Sequence, residues 1–324
     1  MRKRRSTVAL GQMVLDTVIH ENQIFPLAKK QTNLTLGGPP SFAGIIGVIL
    51  SKMYSWMFPP LIYAYACPEA IVLLKDFPDH NLILKNLKIQ PICPSFRLIY
   101  STGKKERTLL LKNPPLQFNP KDFNWEFIYP PVVIISSVFH EFNNNSIFSF
   151  LRKRCDYIAF DPQGCFRHLT SEGKIEFRNW WNPKIIEKVD CLKVSETESK
   201  FLGFGKNPIR IVKKILETQI SSVILTRGIT GAIIGFKNQN GIHVFDVPAF
   251  TGGKVANETG AGDIFLFAYV THFKFFQNEL NAVAFATSVT SLFLEHRRSL
   301  DRFSEELISV RQEKIKIRIT ESSR

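Results

Sequence analysis

The segment T-G-A-G-D at residues 259–263 constrains the fold of this chain most, because it is a turn of small residues that runs directly into an apolar stretch. Residues 264–275 (IFLFAYVTHFKF) contain no helix breaker, so the sequence predicts a helix whose first backbone N–H groups lie at Gly260, Ala261 and Gly262. A helix start attracts anions, and small residues let a phosphate approach the backbone closely. We therefore expect an anion hole at this turn.

Asp263 is the unusual residue of this segment. A carboxylate inside an anion-binding turn is repelled by a bound phosphate, which favours a role as the base beside a reacting phosphoryl group. The alternative is a structural one, since Asp in the first turn of a helix is common.

With Phe265 behind it, this segment resembles the T-G-A-G-D signature of the ribokinase-like (PfkB) family of carbohydrate and nucleoside kinases. Further segments follow in the family's order over roughly residues 7–300. The resemblance implies one α/β domain over residues 1–324, a three-layer α/β/α sandwich with a mostly parallel central sheet and a small β lid. It also implies ATP and Mg²⁺ as cofactors and Asp263 as the general base.

Three segments resemble the parts of the family that bind the substrate, which is the acceptor of the phosphoryl group. Asp16 follows a short buried strand at residues 7–11, and Gly37 and Gly38 precede a helical stretch that runs to about residue 51. The segment D-P-Q-G-C-F-R at residues 161–167 follows another strand, and its form resembles the myo-inositol-kinase-like branch of the family. The resemblance implies substrate binding by Asp16, Gly37, Gly38, Gln163 and Arg167. The alternatives are a solvated turn at Asp16, a plain loop at Gly37 and Gly38, and a tight turn after residue 161.

Two other segments resemble the parts of the family that bind ATP, the donor of the phosphoryl group. Ser195 and Glu198 follow the strand at residues 189–194 and match the family's N-x-x-E motif, whose acid organises magnesium, although a capping box alone would explain both residues. Thr226, Gly228 and Gly231 match a T-x-G-x-x-G stretch that lines the nucleotide phosphates, and a hairpin turn is the alternative. The resemblance implies ATP binding by these five residues and metal binding by Glu198.

The chain departs from the family pattern at several positions. Many members have a polar Asn a few residues after the Gly-Gly pair, whereas this chain has Ser41 and Phe42 there. Ser195 replaces an Asn of the N-x-x-E motif, and Asn257-Glu258 replaces an Asp-Thr pair. These differences leave open a catalytically weak relative that only senses a sugar or nucleotide. Retention of Asp263 and the three small residues favours an enzyme, because a pure binding protein has no need of the base.

The hydrophobic pattern agrees with an α/β fold. Apolar runs at residues 61–66, 87–92, 132–136 and 157–160 predict buried parallel strands with amphipathic segments between them. Residues 96–100 and 106–111 flank S-T-G-K-K and predict a hairpin. The resemblance assigns this hairpin to the lid, which we expect to comprise about residues 12–36 and 95–112. An ordinary edge hairpin is the alternative. Residues 314–319 alternate like an exposed strand.

Charge and cysteine content indicate which partners and which redox compartment to expect. The formal net charge of +14 is spread along the chain, so we expect a nucleotide or phosphorylated partner rather than nucleic acid. The five cysteines are scattered without C-x-x-C spacing, which argues against a disulfide framework and a zinc site and favours a reduced, cytoplasmic protein. We expect no membrane span and no signal peptide, and either a monomer or a homodimer.

The sequence therefore predicts an ATP-dependent kinase that transfers the γ-phosphoryl group to a hydroxyl of a sugar or of a cyclitol such as myo-inositol. A ribokinase or nucleoside kinase of the same family is the second possibility. A catalytically weak sensing relative is the third.

Overall fold

A computed structural model describes residues 7–20, 33–77, 79–100, 108–125, 132–253, 255, 258–296 and 302–322. The strands, in chain order, are β1 Thr7–Gln12, β2 Val14–His20, β3 Asn33–Gly37, β4 Leu61–Ala66, β5 Leu87–Ile89, β6 Ser95–Tyr100, β7 Thr108–Asn113, β8 Val132–Ser136, β9 Tyr157–Asp161, β10 Arg167–Leu169, β11 Ile175–Phe177, β12 Cys191–Ser195, β13 Ser222–Thr226, β14 Ala232–Asn238, β15 Gly241–Val247 and β16 Thr320–Glu321.

The helices alternate with these strands. They are α1 Pro39–Met53, α2 Pro68–Leu74, α3 Asn81–Leu84, α4 Asn145–Arg152, α5 Gln163–Phe166, α6 Pro183–Ile186, α7 Glu196–Ser199, α8 Pro208–Leu216, α9 Ala261–Phe276, α10 Glu279–His296 and α11 Glu305–Lys316. None of the helices within the described ranges is long and apolar enough to cross a membrane.

The central sheet has the strand order β16-β15-β14-β13-β12-β9-β8-β1-β4-β5. The strands from β13 to β5 pair in parallel, whereas β14, β15 and β16 add an antiparallel edge. Parallel strands place their carboxyl ends along one edge of a sheet, so the residues that follow β1, β9, β12 and β13 come together there.

Successive residues of each strand face opposite sides of the sheet, and each side has its own hydrophobic core. In β1, Ala9 packs with α1, α9 and α10, while Val8 and Leu10 pack with α4, α6 and α8. Helices therefore cover both faces of a mostly parallel sheet, which is the three-layer α/β/α architecture predicted from the sequence.

A second sheet lies beyond the carboxyl edge of the first. Its strand order is β3-β2-β6-β7, with β2 parallel to β6 and the other pairs antiparallel. Only Met13 separates β1 from β2, and this residue is buried and donates its N–H to the carbonyl of Tyr65 at 2.9 Å. Apart from Gly37 and Asn113, the residues of these strands fall within the segments expected to form the lid.

The strand expected at residues 314–319 is wrong. Residues 314–316 are the last part of α11, and β16 begins only at Thr320. Ile308 and Ile315 are both fully buried, and residues seven apart lie on the same face of a helix, so α11 packs through this face. The alternation of six residues was too short to separate a strand from the end of such a helix.

Two further expectations are corrected by the structure. Cys67 and Cys93 form a disulfide with a Cα–Cα distance of 5.2 Å, because the turn after β4 meets the segment before β6. The scattered cysteines therefore no longer support the inference that the protein works in a reducing compartment. The buried strand expected at residues 87–92 ends at Ile89, and both Ile89 and Ile92 are exposed because β5 is the edge strand.

Candidate active site

A cavity of about 150 Å³ lies between the carboxyl edge of the central sheet and the second sheet. Its lining combines residues from both sheets and from the starts of α1, α5 and α9. The lining residues are Val14, Asp16, Gly38, Pro39, Phe42, Phe96, Leu98, Leu109, Val138, Gln163, Arg167, Lys193, Glu258, Thr259, Gly260, Gly262 and Asp263.

Helix α9 begins at this cavity, and its N-cap is Gly260. Gly260 has φ 86°, a conformation that favours glycine, and a Cβ atom there would lie 2.6 Å from the ring of Phe42. The N–H of Ala261 donates to the carbonyl of Glu258 at 3.1 Å. Within the described part of the chain, the N–H groups of Gly262 and Asp263 have no such acceptor and remain available to an anion.

Asp263 lines the cavity and is partly buried. Loss of solvent raises the pKa of its carboxyl to about 7, and the charges of Asp161 and Glu198 act in the same direction. The cations of Lys193 and Arg167 act in the opposite direction. A carboxyl that titrates near neutral pH has the property required of a general base, and burial beside other carboxyls is the cause.

Lys193 and Asp161 form an ion pair near Asp263. Lys193, in β12, donates its Nζ to Oδ2 of Asp161, the last residue of β9, at 2.5 Å, and both side chains are almost fully buried. A Cβ atom on Gly262 would lie 2.5 Å from the same Nζ. Burial acts to lower the pKa of Lys193, but the carboxylates of Asp161, Glu198 and Asp263 outweigh this effect and raise it, so the ammonium stays charged.

The predicted acceptor residues come from the second sheet and the start of α1. Asp16 lies on β2 and is 8% exposed. Its Oδ2 would be 2.6 Å from a Cβ atom on Gly37, so glycine at that position leaves room for the carboxylate. Gly38 lines the cavity beside Asp16, whereas Gly37 does not. The structure therefore brings Asp16 and Gly38 to the cavity and places Gly37 behind them.

Gln163 and Arg167 reach the cavity from the segment after β9. The N–H of Gln163 donates to Oδ1 of Asp161 at 3.2 Å, which fixes the start of α5 beside the ion pair. Arg167 donates to the carbonyl of Val138 at 2.8 Å, and its guanidinium carbon lies 5.2 Å from the centre of the Phe96 ring. These contacts hold the guanidinium between the two sheets.

The five predicted donor residues lie at the ends of β12 and β13, outside the cavity lining. Ser195 and Glu198 form the expected capping box: Ser195 Oγ accepts from the N–H of Glu198, and Oε2 of Glu198 accepts from the N–H of Ser195 at 2.8 Å. Ser195 pairs with Thr226 in the sheet. Gly228 is the first residue of a 3₁₀ turn, and Gly231 follows the last. Asn257 lies outside the described residues.

The apolar side of the cavity was not predicted. Phe42 lines the cavity from α1, and Phe96, Leu98 and Leu109 contribute the underside of the second sheet. The hydroxyl of Ser41 instead donates to the carbonyl of Gly37 at 2.8 Å and is fully buried. The sequence signal for these residues was weak, since apolar residues that alternate along a strand are as frequent in an ordinary core.

No protein-family model and no curated protein sequence matches the chain. Several solved structures do match it. A pyrophosphate-dependent kinase in the ribokinase family, solved with sulfate, has a TM-score of 0.72 and 18% identity over 92% of this chain and 100% of its own. A pyrophosphate-dependent kinase in the ribokinase family, complexed with a pyrophosphate analog and myo-inositol, has a TM-score of 0.70 and 17% identity over the same shares.

A fructokinase from Vibrio cholerae, bound to fructose, ADP and a calcium ion, has a TM-score of 0.67 and 18% identity over 95% of this chain and 99% of its own. Structural neighbours of this kind define the ribokinase fold. The chain has that fold along nearly its whole length.

Proposed function

We propose that this protein is a kinase that transfers a phosphoryl group to a hydroxyl of a small, uncharged polyol. One observation carries the proposal: a carboxylate with a pKa near 7 lies beside N–H groups at the start of a helix that have no acceptor among the described residues, and both face a cavity with hydrogen-bonding side chains. In this proposal Asp263 takes a proton, and the start of α9 holds a phosphoryl group.

In the proposed reaction, the acceptor oxygen forms a bond to the transferred phosphorus while the bond from phosphorus to the donor oxygen breaks. The proton of the acceptor hydroxyl passes to Asp263. Developing negative charge on the phosphoryl oxygens meets the N–H groups of Gly262 and Asp263 and the small residues Gly260 and Ala261, which form the proposed anion hole.

The acceptor would occupy the space between Asp16, Gly38, Gln163 and Arg167. The cavity volume of about 150 Å³ is below the range of about 300–1,000 Å³ common for ligand pockets, which favours a single ring. Arg167 is already engaged with a carbonyl and an aromatic ring, so the cavity favours an unphosphorylated acceptor. We favour a cyclitol such as myo-inositol or a sugar, ahead of the larger nucleosides.

Ser195, Glu198, Thr226, Gly228 and Gly231 would contact the donor, for which we propose ATP. Magnesium, when bound, supplies positive charge to the donor phosphates. Glu198 has a carboxylate suited to the water shell of Mg²⁺, and the described residues contain no cluster of three acidic, His or Cys ligands, so the phosphates would provide much of the coordination.

Pyrophosphate is a second candidate donor, because two of the similar structures belong to pyrophosphate-dependent kinases. A screen of ATP and pyrophosphate, with Mg²⁺, against myo-inositol, common sugars and nucleosides tests both proposals. Phosphorylated acceptor should form with one donor and a small polyol. Binding of an acceptor without phosphoryl transfer under any of these conditions would instead support a sensing relative.

Asp16→Ala should change the KM for the acceptor and not the KM for the donor. Asp16 faces the acceptor side of the cavity, so its removal is expected to raise KM for the acceptor about tenfold or more while KM for the phosphate donor changes little. Steady-state kinetics with each substrate varied in turn provides the measurement. Equal increases in both KM values would assign Asp16 to folding or to the donor.

The rate should depend on pH through Asp263. Its carboxyl has a raised pKa of about 7 and acts as a base only when ionised, so kcat/KM should rise as pH increases through about 7 and then level off. A kcat/KM profile from about pH 5 to about pH 9 checks this expectation. A profile that is flat across this interval would exclude Asp263 as the titrating base.

Cytoplasmic location and a monomeric or homodimeric state remain predictions. The disulfide between Cys67 and Cys93 argues against the cytoplasm, since disulfides are rare in reducing compartments. Cell fractionation measures the location directly.

A further inference from the structure

Among the described residues that line the cavity, Lys193 is the one lysine, and no step of the proposed reaction uses its ammonium. It is the third residue of β12, between the buried residues Leu192 and Val194. A lysine side chain on a central strand has to be desolvated, which is costly unless the charge is used or neutralised.

The neutralising partner is Asp161, and the pair is oriented toward the start of α9. Nζ of Lys193 lies 2.5 Å from Oδ2 of Asp161, and it lies so close to Gly262 that a Cβ atom there would be at 2.5 Å. An ammonium has three donors, and Asp161 is its one hydrogen-bond acceptor within the described ranges. The remaining donors are near the N–H groups that form the proposed anion hole.

The electrostatic surroundings explain why a cation is retained here. Three carboxylates, those of Asp161, Glu198 and Asp263, act on Lys193. An incoming phosphoryl group would add further negative charge to this acidic region, and a helix start alone contributes only modestly to anion binding. A fixed cation against Gly262 offsets this repulsion without a movement of the side chain.

We propose that the Lys193 ammonium directly contacts the phosphoryl group bound at the start of α9, and that Asp161 is the positioning residue that holds the ammonium against Gly262. This inference rests on the anion hole of the proposed function. It assigns the transferred group two kinds of contact, backbone N–H groups from α9 and one ammonium from β12. The rival explanation is a buried ion pair that serves folding only.

A charge-neutral double substitution separates these explanations. Lys193→Met combined with Asp161→Asn removes both charges, so the net charge of the protein and its long-range attraction for anions are unchanged. Replacement of a buried ion pair by neutral groups is often tolerated by the fold. Inorganic pyrophosphate, titrated into the parent and the double variant by calorimetry at one ionic strength, serves as the anion probe.

We expect the double variant to bind pyrophosphate at least tenfold more weakly than the parent and to lose at least tenfold in kcat, with its melting temperature near that of the parent. Binding and turnover within twofold of the parent would overturn the inference and leave the pair a folding element. Failure of pyrophosphate to bind the parent would overturn it as well. If the double variant does not fold, Lys193→Gln with Asp161→Asn retains a side-chain hydrogen bond and gives the same comparison.

The matched control is the pair of Arg152 and Asp190, which meet at 2.6 Å at the opposite end of β12. Arg152→Met with Asp190→Asn should lower stability without weakening pyrophosphate binding. The experiment also separates this inference from the kinase proposal. If pyrophosphate binds through Lys193 but no donor and acceptor are turned over, the anion contact stands and the kinase proposal fails.

Discussion

Replacement of Asp263 by Asn is expected to lower kcat by about 10²–10⁴, while donor binding stays equal or becomes tighter. Asn is nearly the same size and remains polar, but it cannot accept the proton of the acceptor hydroxyl. Loss of a negative charge beside the anion hole also removes a repulsion from the donor phosphates. Steady-state rates and donor titration on the same preparation give both quantities.

The same variant should be more heat-stable above neutral pH. The raised pKa of about 7 means that the folded state holds a proton which the unfolded chain, with an Asp pKa of about 3.9, has already released. The stability contributed by protonated Asp263 is therefore fully present below about pH 3.9 and is lost as pH rises through about 7. Asn avoids this loss, so Asp263→Asn should gain about 1–3 kcal/mol over the parent at pH about 8 and little at pH about 4.

Asp190→Asn is the control for this result, because Asp190 pairs with Arg152 away from the cavity and should affect stability but not kcat. If Asp263 only caps the helix, its replacement should cost about 0.5–2 kcal/mol and leave the rate largely intact. A folded Asp263→Asn protein with more than about a tenth of the parental kcat would contradict its assignment as general base.

Replacement of Gly262 by Val is expected to lower kcat/KM by about a hundredfold or more. The Cβ atom of Val would lie 2.5 Å from Nζ of Lys193 and 3.2 Å from its Cε, and the γ-methyl groups would enter the cavity that Gly262 lines. The ammonium of Lys193 would have to move, and such a shift weakens its ion pair with Asp161. Kinetics and thermal melting of the purified variant measure the loss of activity relative to the loss of stability.

Gly235→Val provides a matched steric control. A Cβ atom on Gly235, in β14, would lie 2.3 Å from a methyl group of Val212 in the hydrophobic core under α8, a comparable clash away from the cavity. This variant should melt at a lower temperature and retain the kcat of its folded fraction. If Gly262→Val loses activity only in proportion to its unfolded fraction, the turn has no direct role in anion binding.

Local patterns in the sequence were sufficient for most of the architecture. The start of α9 follows from small residues before an unbroken apolar stretch, and the parallel strands at residues 61–66, 132–136 and 157–160 follow from continuous apolar runs. The capping box at Ser195 and Glu198 was also correct, because both of its contacts are between neighbours in the chain. Such features depend on spacing alone.

Features that depend on distant segments could not be predicted in this way. Lys193 is a single lysine in an apolar run, and only the fold shows that its ammonium meets Asp161 from a neighbouring strand. Cys67 and Cys93 are too far apart in the sequence for their pairing to be apparent. The apolar underside formed by Phe96, Leu98 and Leu109 faces the cavity only because two sheets are stacked at this edge.

The single residue Met13 between β1 and β2 has a consequence for how precisely an acceptor is held. The second sheet is also attached to the rest of the protein elsewhere, since β3 continues through Gly38 into α1 and Cys93, just before β6, is bonded to Cys67. Asp16 lies three residues beyond Met13 on β2, at about 3.3 Å per residue. Its carboxylate is therefore held close to the central sheet by several connections, so an acceptor would meet a contact whose position is set before binding.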